Sequence, residues 1–557
     1  MRLFVAAGLV ALAFPPPFVL GAPAAGVAQG EEPPPADAHA GHALGKVDFP
    51  VSCSAGAQAE FTRAVALLHH MTYPQARLAF ERVAALDPRC AMAHWGVAMT
   101  LFQPLWPTRP KPADLRRGWE EAGKAEALKP ATERERLFVA TATAFFLDPA
   151  ASDYWLRVRR WEAAARKVYD AFPDDPEAAT FYALAHLATA PADTISREHQ
   201  DRAAEILLRV YRKNPDHPGV MHYLVHANDA PGREREQLDV TRRYEQIAPR
   251  NPHALHMPTH IYTRLGDWDG VVRGNLKAAE AALETPAGEH GELVWDEFPH
   301  AIEYLVYAYL QQGRDDDALA QAERLRGTER LEPSFKTAFH LASTQARCAL
   351  ERRDWGRAAA IVPRQPAALD WDRFPWAEAT AVFARGLGLA RTGRRPDAAA
   401  AVERLLALEA ASAAAGESLF TRNIRVLKLE LSAWQAEAEG RGDSALALMR
   451  EAALLEADTP KAAVTPGPTL PGFEQFGDLL AARGRAGEAL AAYRRSLELY
   501  PRRFNSLLGA ARAAEAAGDR AAARAVAAEL LEVARGGTRQ PELAEAARLA
   551  GGGALSH

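Results

Sequence analysis

The sequence predicts an all-α protein, a right-handed α-solenoid of about twelve helix–turn–helix units. Three observations predict it. The strong helix formers Ala, Leu, Arg and Glu dominate the 557 residues, and alternating runs of Val, Ile and Thr that would signal strands are missing. Amphipathic stretches such as YWLRVRRWEAAARKVYDAFP at 154–173 recur along the chain. In the middle of the chain a pattern returns after 34 residues: the HxxxH pair His222/His226 is followed by His256/His260, and Gly232 by Gly266. A fixed period of that size marks a stacked repeat array.

The N-terminal 28 residues read as an export signal: Arg2 opens an apolar stretch that ends in small residues, with cleavage expected after Ala25 or Ala28. A retained membrane anchor is the competing reading, and Pro15, Pro16 and Pro17 interrupt the apolar run that it would need. Residues 29–56, rich in Pro, Ala, His and acidic residues, read as a disordered tether and lead-in, and 57–551 as the solenoid. The expected location is therefore periplasmic or secreted, with no membrane span after cleavage. Lys and Arg number 66 against 71 Asp and Glu, for a formal charge of −5, and the two signs are interleaved, as in ERERLF at 133–138. That pattern leaves no basic track, so no nucleic-acid partner is expected.

Of the three cysteines, Cys53 and Cys90 flank the first unit. Either they pair in an oxidising compartment, or they are two small buried side chains. Closing that loop of 37 residues would contribute about 4 kcal/mol in the chain-entropy model. Cys348 falls mid-helix, in the core.

Taken in order, unit one spans 57–88, where Tyr73, Ala76, Phe80, Ala84 and Pro88 stand at packing positions: the alanines let helices approach, Phe80 fills the gap and Pro88 stops the helix. Units two to four carry longer loops, among them QPLWPTRPKP, whose Trp106 is expected to pack as a plug or lid. Units five and six hold the paired histidines, and unit seven follows the insertion TPAGEHGELVWDEF at 285–298. A late unit at 477–501 places Gly477, Gly484, Ala489, Tyr493, Ser496 and Pro501 at repeat positions, and a short helix near 540–550 is expected to cap the stack.

These residues resemble the tetratricopeptide repeat (TPR) over about 57–535. The segments HPGxxHYLxHAxD and PHALHMPTHIY together with the N-terminal signal resemble a group of exported bacterial TPR proteins. The resemblance implies that first helices line a concave face, and that a peptide or protein partner binds there. It names no reaction.

The central repeats, 217–347, carry the candidate site. Aligning units on their turn residues, Gly266 with Gly313 and Trp268 with Trp355, puts His253, His300 and His340 in one row, His222, His256 and Glu303 in a second, and His226, His260, Tyr307 and Arg347 in a third. Asp229 lies three residues beyond His226. The same alignment yields Phe61 and Val65 in unit one and Phe383 and Leu387 in unit nine, so the imidazole-rich patch is local. Residues at i and i+4 share a helix face, so one HxxxH can chelate a metal and a neighbouring helix can complete the shell.

The expected ligands are His222, His226, Asp229, His253, His256, His260, His300 and Glu303, with Asp229 or Glu303 alternatively orienting an imidazole from outside. Imidazole with carboxylate suits Zn, Cu, Fe or Ni. Two other readings stand beside the metal: a groove for a small molecule or peptide, and a structural polar network in which His253 only starts a helix. An enzyme would add an open position on the metal. His69 and His70 are adjacent and point apart, one expected toward the groove and one toward the core. HExxH, GxSxG, GxxxxGK[ST] and CxxC are all missing.

Overall fold

A computed structural model describes residues 42–551, apart from 107, 151–152, 192 and 289–290. The expected signal segment and most of the tether lie outside the described residues. The chain is an all-α, TPR-like solenoid with 26 α-helices among the described residues, successive helices packing on one another along the chain. Its first helix is Ala55–His69 and its last Gln540–Leu549. The expectation of no sheet needs one small correction: the insertion before unit seven pairs Pro286–Ala287 with Leu293–Val294 as a two-residue hairpin.

Local chemistry sets the helix boundaries. Three first helices of the N-terminal half begin with an acceptor side chain followed by Pro: Asp175–Pro176, His217–Pro218 and Asn251–Pro252. The acceptor satisfies an orphan N–H and the Pro ring presets the first helical φ. The repeat packing is that of the aligned aromatics. A Cβ on Gly96 would stand 2.1 Å from the Phe80 ring, and one on Gly509 would stand 2.4 Å from the Tyr493 ring. In both units the second-helix aromatic therefore lies directly against the backbone of the next first helix.

The solenoid curls until its last units touch its middle. Gly266 and Gly313 end helices in the left-handed region, at φ 67° and 66°. A Cβ on either would meet Arg502 or Phe504 of unit twelve at 2.9 Å. Around those contacts Trp268 Nε1 donates to Arg502 O (2.9 Å), and Arg503, fully buried, donates to Tyr307 Oη (2.9 Å) and pairs with Glu351 and Glu474. Phe504, Leu507 and Leu530 share one apolar core with Phe298, Leu305 and Leu310 of unit seven. On the other side Arg109 grips Glu417 with two hydrogen bonds, at 2.9 and 2.8 Å. These contacts tie the last units, and the loop before Lys111, to the middle and later part of the solenoid.

Cys53 and Cys90 form a disulfide with Cα atoms 5.1 Å apart, and Cys348 is buried. Among the described residues no helix is long and apolar enough to cross a membrane.

Candidate metal centre

Four neighbouring helical segments bring the histidines together. Helix Pro218–Asn228 supplies His222 and His226 from one face, with their Nε2 atoms 3.1 Å apart. The next first helix is broken by Pro258 into Pro252–His256 and Pro258–Leu265, because Pro removes an N–H from the ladder. The break leaves His256 and His260 on one face, Nε2 to Nε2 2.9 Å. Helix Glu297–Gln311 adds His300, and helix Phe335–Leu350 adds His340.

The six imidazoles divide into two triads, His222/His226/His253 and His256/His260/His300, whose ligand-capable nitrogens lie within 4.8 Å of one another in each. Sequence reasoning expected the two HxxxH pairs to face a joint cavity. The structure completes each pair with a third imidazole, His253 for the first and His300 for the second, and leaves the two pairs adjacent, with the rings of His226 and His260 6.3 Å apart. His253, the residue that could have served only as a helix start, has its Nε2 3.1 Å from His222 Nε2, while the capping is done by Asn251.

The outer nitrogens fix the tautomers. His222 Nδ1 donates to the carbonyl of His69 (2.6 Å), and His253 Nδ1 donates to Glu297 (2.8 Å). His256 Nδ1 donates to Asn275 Oδ1 (2.6 Å), whose amide is oriented by its own donation to Val271 O, and His260 Nδ1 donates to Asp229 (2.9 Å). A relay does the same for His300. Glu303 accepts from His340 Nδ1, so His340 Nε2 is left to accept from His300 Nδ1 at 3.1 Å. His300 Nε2 is then a bare lone pair, buried and without a hydrogen-bond partner. The result is five Nε2 lone pairs turned toward two points.

Burial keeps five of these rings neutral, and neighbouring cations keep the carboxylate partners charged. Burial holds His222, His226, His256 and His300 well below the ordinary imidazole value, and His260 below it. Burial works to raise the carboxyl of Asp229, but Lys461 and Arg264 outweigh it. Glu297 is held down against burial by Lys336 and His253, and Glu303 by Arg347 and His340. Asp229 and Glu303 thus sit where their oxygens meet the outer nitrogens and these cations, and the Nε2 atoms that converge are all imidazole.

A third cluster differs in kind. His69 Nε2 and His217 Nε2 both reach Glu177, at 2.8 and 3.0 Å, while His69 Nδ1 meets Tyr223 Oη and His217 Nδ1 accepts from Val220 N–H. All four ring nitrogens are used, so it acts as a polar pin between helices. His70 bonds Tyr244 Oη and Leu44 O, and both His69 and His70 are buried, so neither faces a groove. Trp106 is a lid of a specific kind, its ring 5.3 Å from His253 and 5.5 Å from His300, with the Lys336 ammonium 4.1 Å above it.

Sequence reasoning missed Glu297, Asn275, Lys336 and Lys461. Glu297 carried a faint signal, one turn before His300 on the same helix. Lys461 comes from the Pro- and Gly-rich loop that precedes helix Gly472–Ala482, and nothing local links it to Asp229, 3.0 Å away.

No family model matches this chain, and no curated protein matches its sequence. Among solved structures the chain is similar to a human IFIT1 dimer with m7Gppp-AAAA, at 13% identity over 88% of this chain and 91% of that one, with a TM-score of 0.36. The expectation that nucleic acid is excluded is corrected here. It rested on the near-balanced charge and the interleaving of the two signs, and the finding that stands against it is that this similar structure was solved with m7Gppp-AAAA.

Proposed function

We propose that this chain is an exported, TPR-like scaffold that binds transition-metal ions through the two histidine triads. The observation that carries the reading is the pair His256 and His260. Both Nδ1 atoms donate outward, yet the Nε2 atoms stand 2.9 Å apart. Two lone pairs at that distance repel unless a cation lies between them. An ion about 2.0–2.1 Å from each imidazole nitrogen meets that need. Outer carboxylates and an amide on the far nitrogens are the usual means of orienting metal-bound imidazole.

Zn, Cu, Fe and Ni all accept such donors. Export is supported by the Arg2-led N-terminal segment and by the Cys53–Cys90 disulfide, which suits an oxidising compartment. The test is metal analysis of protein purified without an affinity tag, beside His256→Gln and His260→Gln. Bound metal in the wild type that falls in both variants supports the reading. Metal-free protein that also takes up none of the four ions in titration would end it.

A further inference from the structure

The two triads stand almost as close to each other as the members within one triad do. Ring centroids of His253 and His256 are 6.2 Å apart and those of His226 and His260 6.3 Å, both across the triads. Within the second triad His260 and His300 are 6.1 Å apart. Trp106 touches a ring of each triad, so one apolar roof covers both. The six imidazoles form one continuous cluster.

The charge around that cluster limits what it can hold. Asp229 meets Arg264 and Lys461; Asp296 and Glu297 share Lys336; Glu303 meets Arg347. Four carboxylates are matched by four cations, a fifth, Glu332 beside Asp296 and Lys336, is pushed up to about 7 by burial, and imidazole is an uncharged donor, so little excess negative charge is on hand. The cost of burying charge rises with its square, and it is severe where the charge is unpaired. Two divalent ions would bring four positive charges into this interior, and two monovalent ions half as many. Among the metals that imidazole binds well, copper alone has an accessible monovalent state, and although sulfur donors suit the cuprous ion best, it accepts low coordination numbers such as three imidazoles.

We propose that the two triads form a single dinuclear centre that is loaded as two cuprous ions. The proposal rests on the metal-binding reading above and goes beyond it in metal identity, number and coupling. Each ion takes the three Nε2 atoms of its triad, and the neutral set of donors and outer ion pairs sets the preference for low charge.

The full chain would be titrated with cuprous ion under argon against a chromophoric cuprous chelator, and separately with zinc against a zinc chelator. Two cuprous ions per chain are expected, bound at least 100-fold more tightly than zinc. The loaded protein would then be oxidised with two equivalents of ferricyanide, which takes one electron from each ion. Once two ferrocyanides have formed per chain, so that both ions are cupric, paramagnetic resonance should recover well under one spin per copper, because cupric ions this close couple. His226→Gln removes the least buried ligand, so the fold is spared; it should leave one copper per chain with a full, uncoupled spin. His260→Gln should do the same from the other triad.

Tighter zinc binding overturns the cuprous assignment. Two coppers with full uncoupled spin, or one copper in the wild type, overturn the dinuclear centre while metal binding itself stands. Failure to bind any ion sinks the underlying reading as well.

Discussion

His256 Nε2 and His260 Nε2 lie 2.9 Å apart with neither holding a proton to give the other, because Asn275 and Asp229 take both outer N–H groups. The arrangement makes Asn275 a positioning residue whose only role toward the site is to hold one tautomer. Asn275→Leu keeps the shape and removes the acceptor. Metal affinity of the second triad is expected to fall about 10–100-fold, as for other outer partners, with little change in melting temperature of the metal-free protein. Competition titration of both proteins checks it, and equal affinities would mean that the tautomer is set by something else.

How much of this was legible in the sequence follows from where each contact lies along the chain. The HxxxH pairs were legible because a helix turns every 3.6 residues, and the repeat because Phe80 and Tyr493 sit against the next helix in the same way. The division into triads was not, since His253 joins His222 across 31 residues and His300 depends on His340 across 40. Lys461 is further still, and pairing at that distance leaves no period to read. The contact between the last units and the middle was illegible for a cumulative reason. Whether a superhelix closes on itself depends on small rotations added over many units, and no single residue states their sum.

Acid should unfold the metal-free protein early. Burial lowers the imidazole values of His222, His226, His256, His260 and His300 in the fold, whereas the unfolded chain protonates near pH 6.5. The unfolded state therefore binds more protons as pH drops below about 6.5, and stability is lost by up to about 1.4 kcal/mol per pH unit for each such ring. Calorimetry of the metal-free protein should show a steep fall in melting temperature from pH 7 to pH 5. His226→Gln should make that fall shallower; a curve as steep as the wild type would disprove the assignment.

Glu456 acts at the other end of the scale. Its buried carboxyl is pushed up to about 8 by burial, although it accepts from Gly472 N–H, and burial beside it holds Glu430 well above the carboxylate range. Here the folded value is raised, so its contribution is complete below the unfolded value of about 4.3 and is lost as pH rises through about 8. Glu456→Gln keeps an acceptor for Gly472 and cannot ionise. The variant should match the wild type near pH 4 and melt higher than it at pH 8.5. Identical melting temperatures at both values would show that Glu456 ionises normally.

Bound metal should protect a region that is scattered in sequence and continuous in space. A ligand stabilises what it binds by RT ln(1 + [L]/Kd), about 2.7 kcal/mol at a hundredfold excess, and in a repeat array the gain stays near the site. Protection from hydrogen exchange is therefore expected over 222–265 and 297–347. Because the solenoid closes on itself, it should reach the loop at 461–470 too. There Lys461 pairs with Asp229 at 3.0 Å, and Arg347 donates to Gly467 O and Pro468 O at 2.6 and 2.7 Å. Helix Arg395–Ala414 touches none of these groups and should exchange at the same rate with and without metal. Lys461→Met leaves Asp229 with Arg264, so metal should still protect 222–265 in that variant while the loop loses most of its share. If the loop stays as protected in Lys461→Met as in the wild type, the coupling does not run through Asp229. If protection instead spreads evenly over the whole chain, the solenoid responds as one cooperative body and the local picture is wrong.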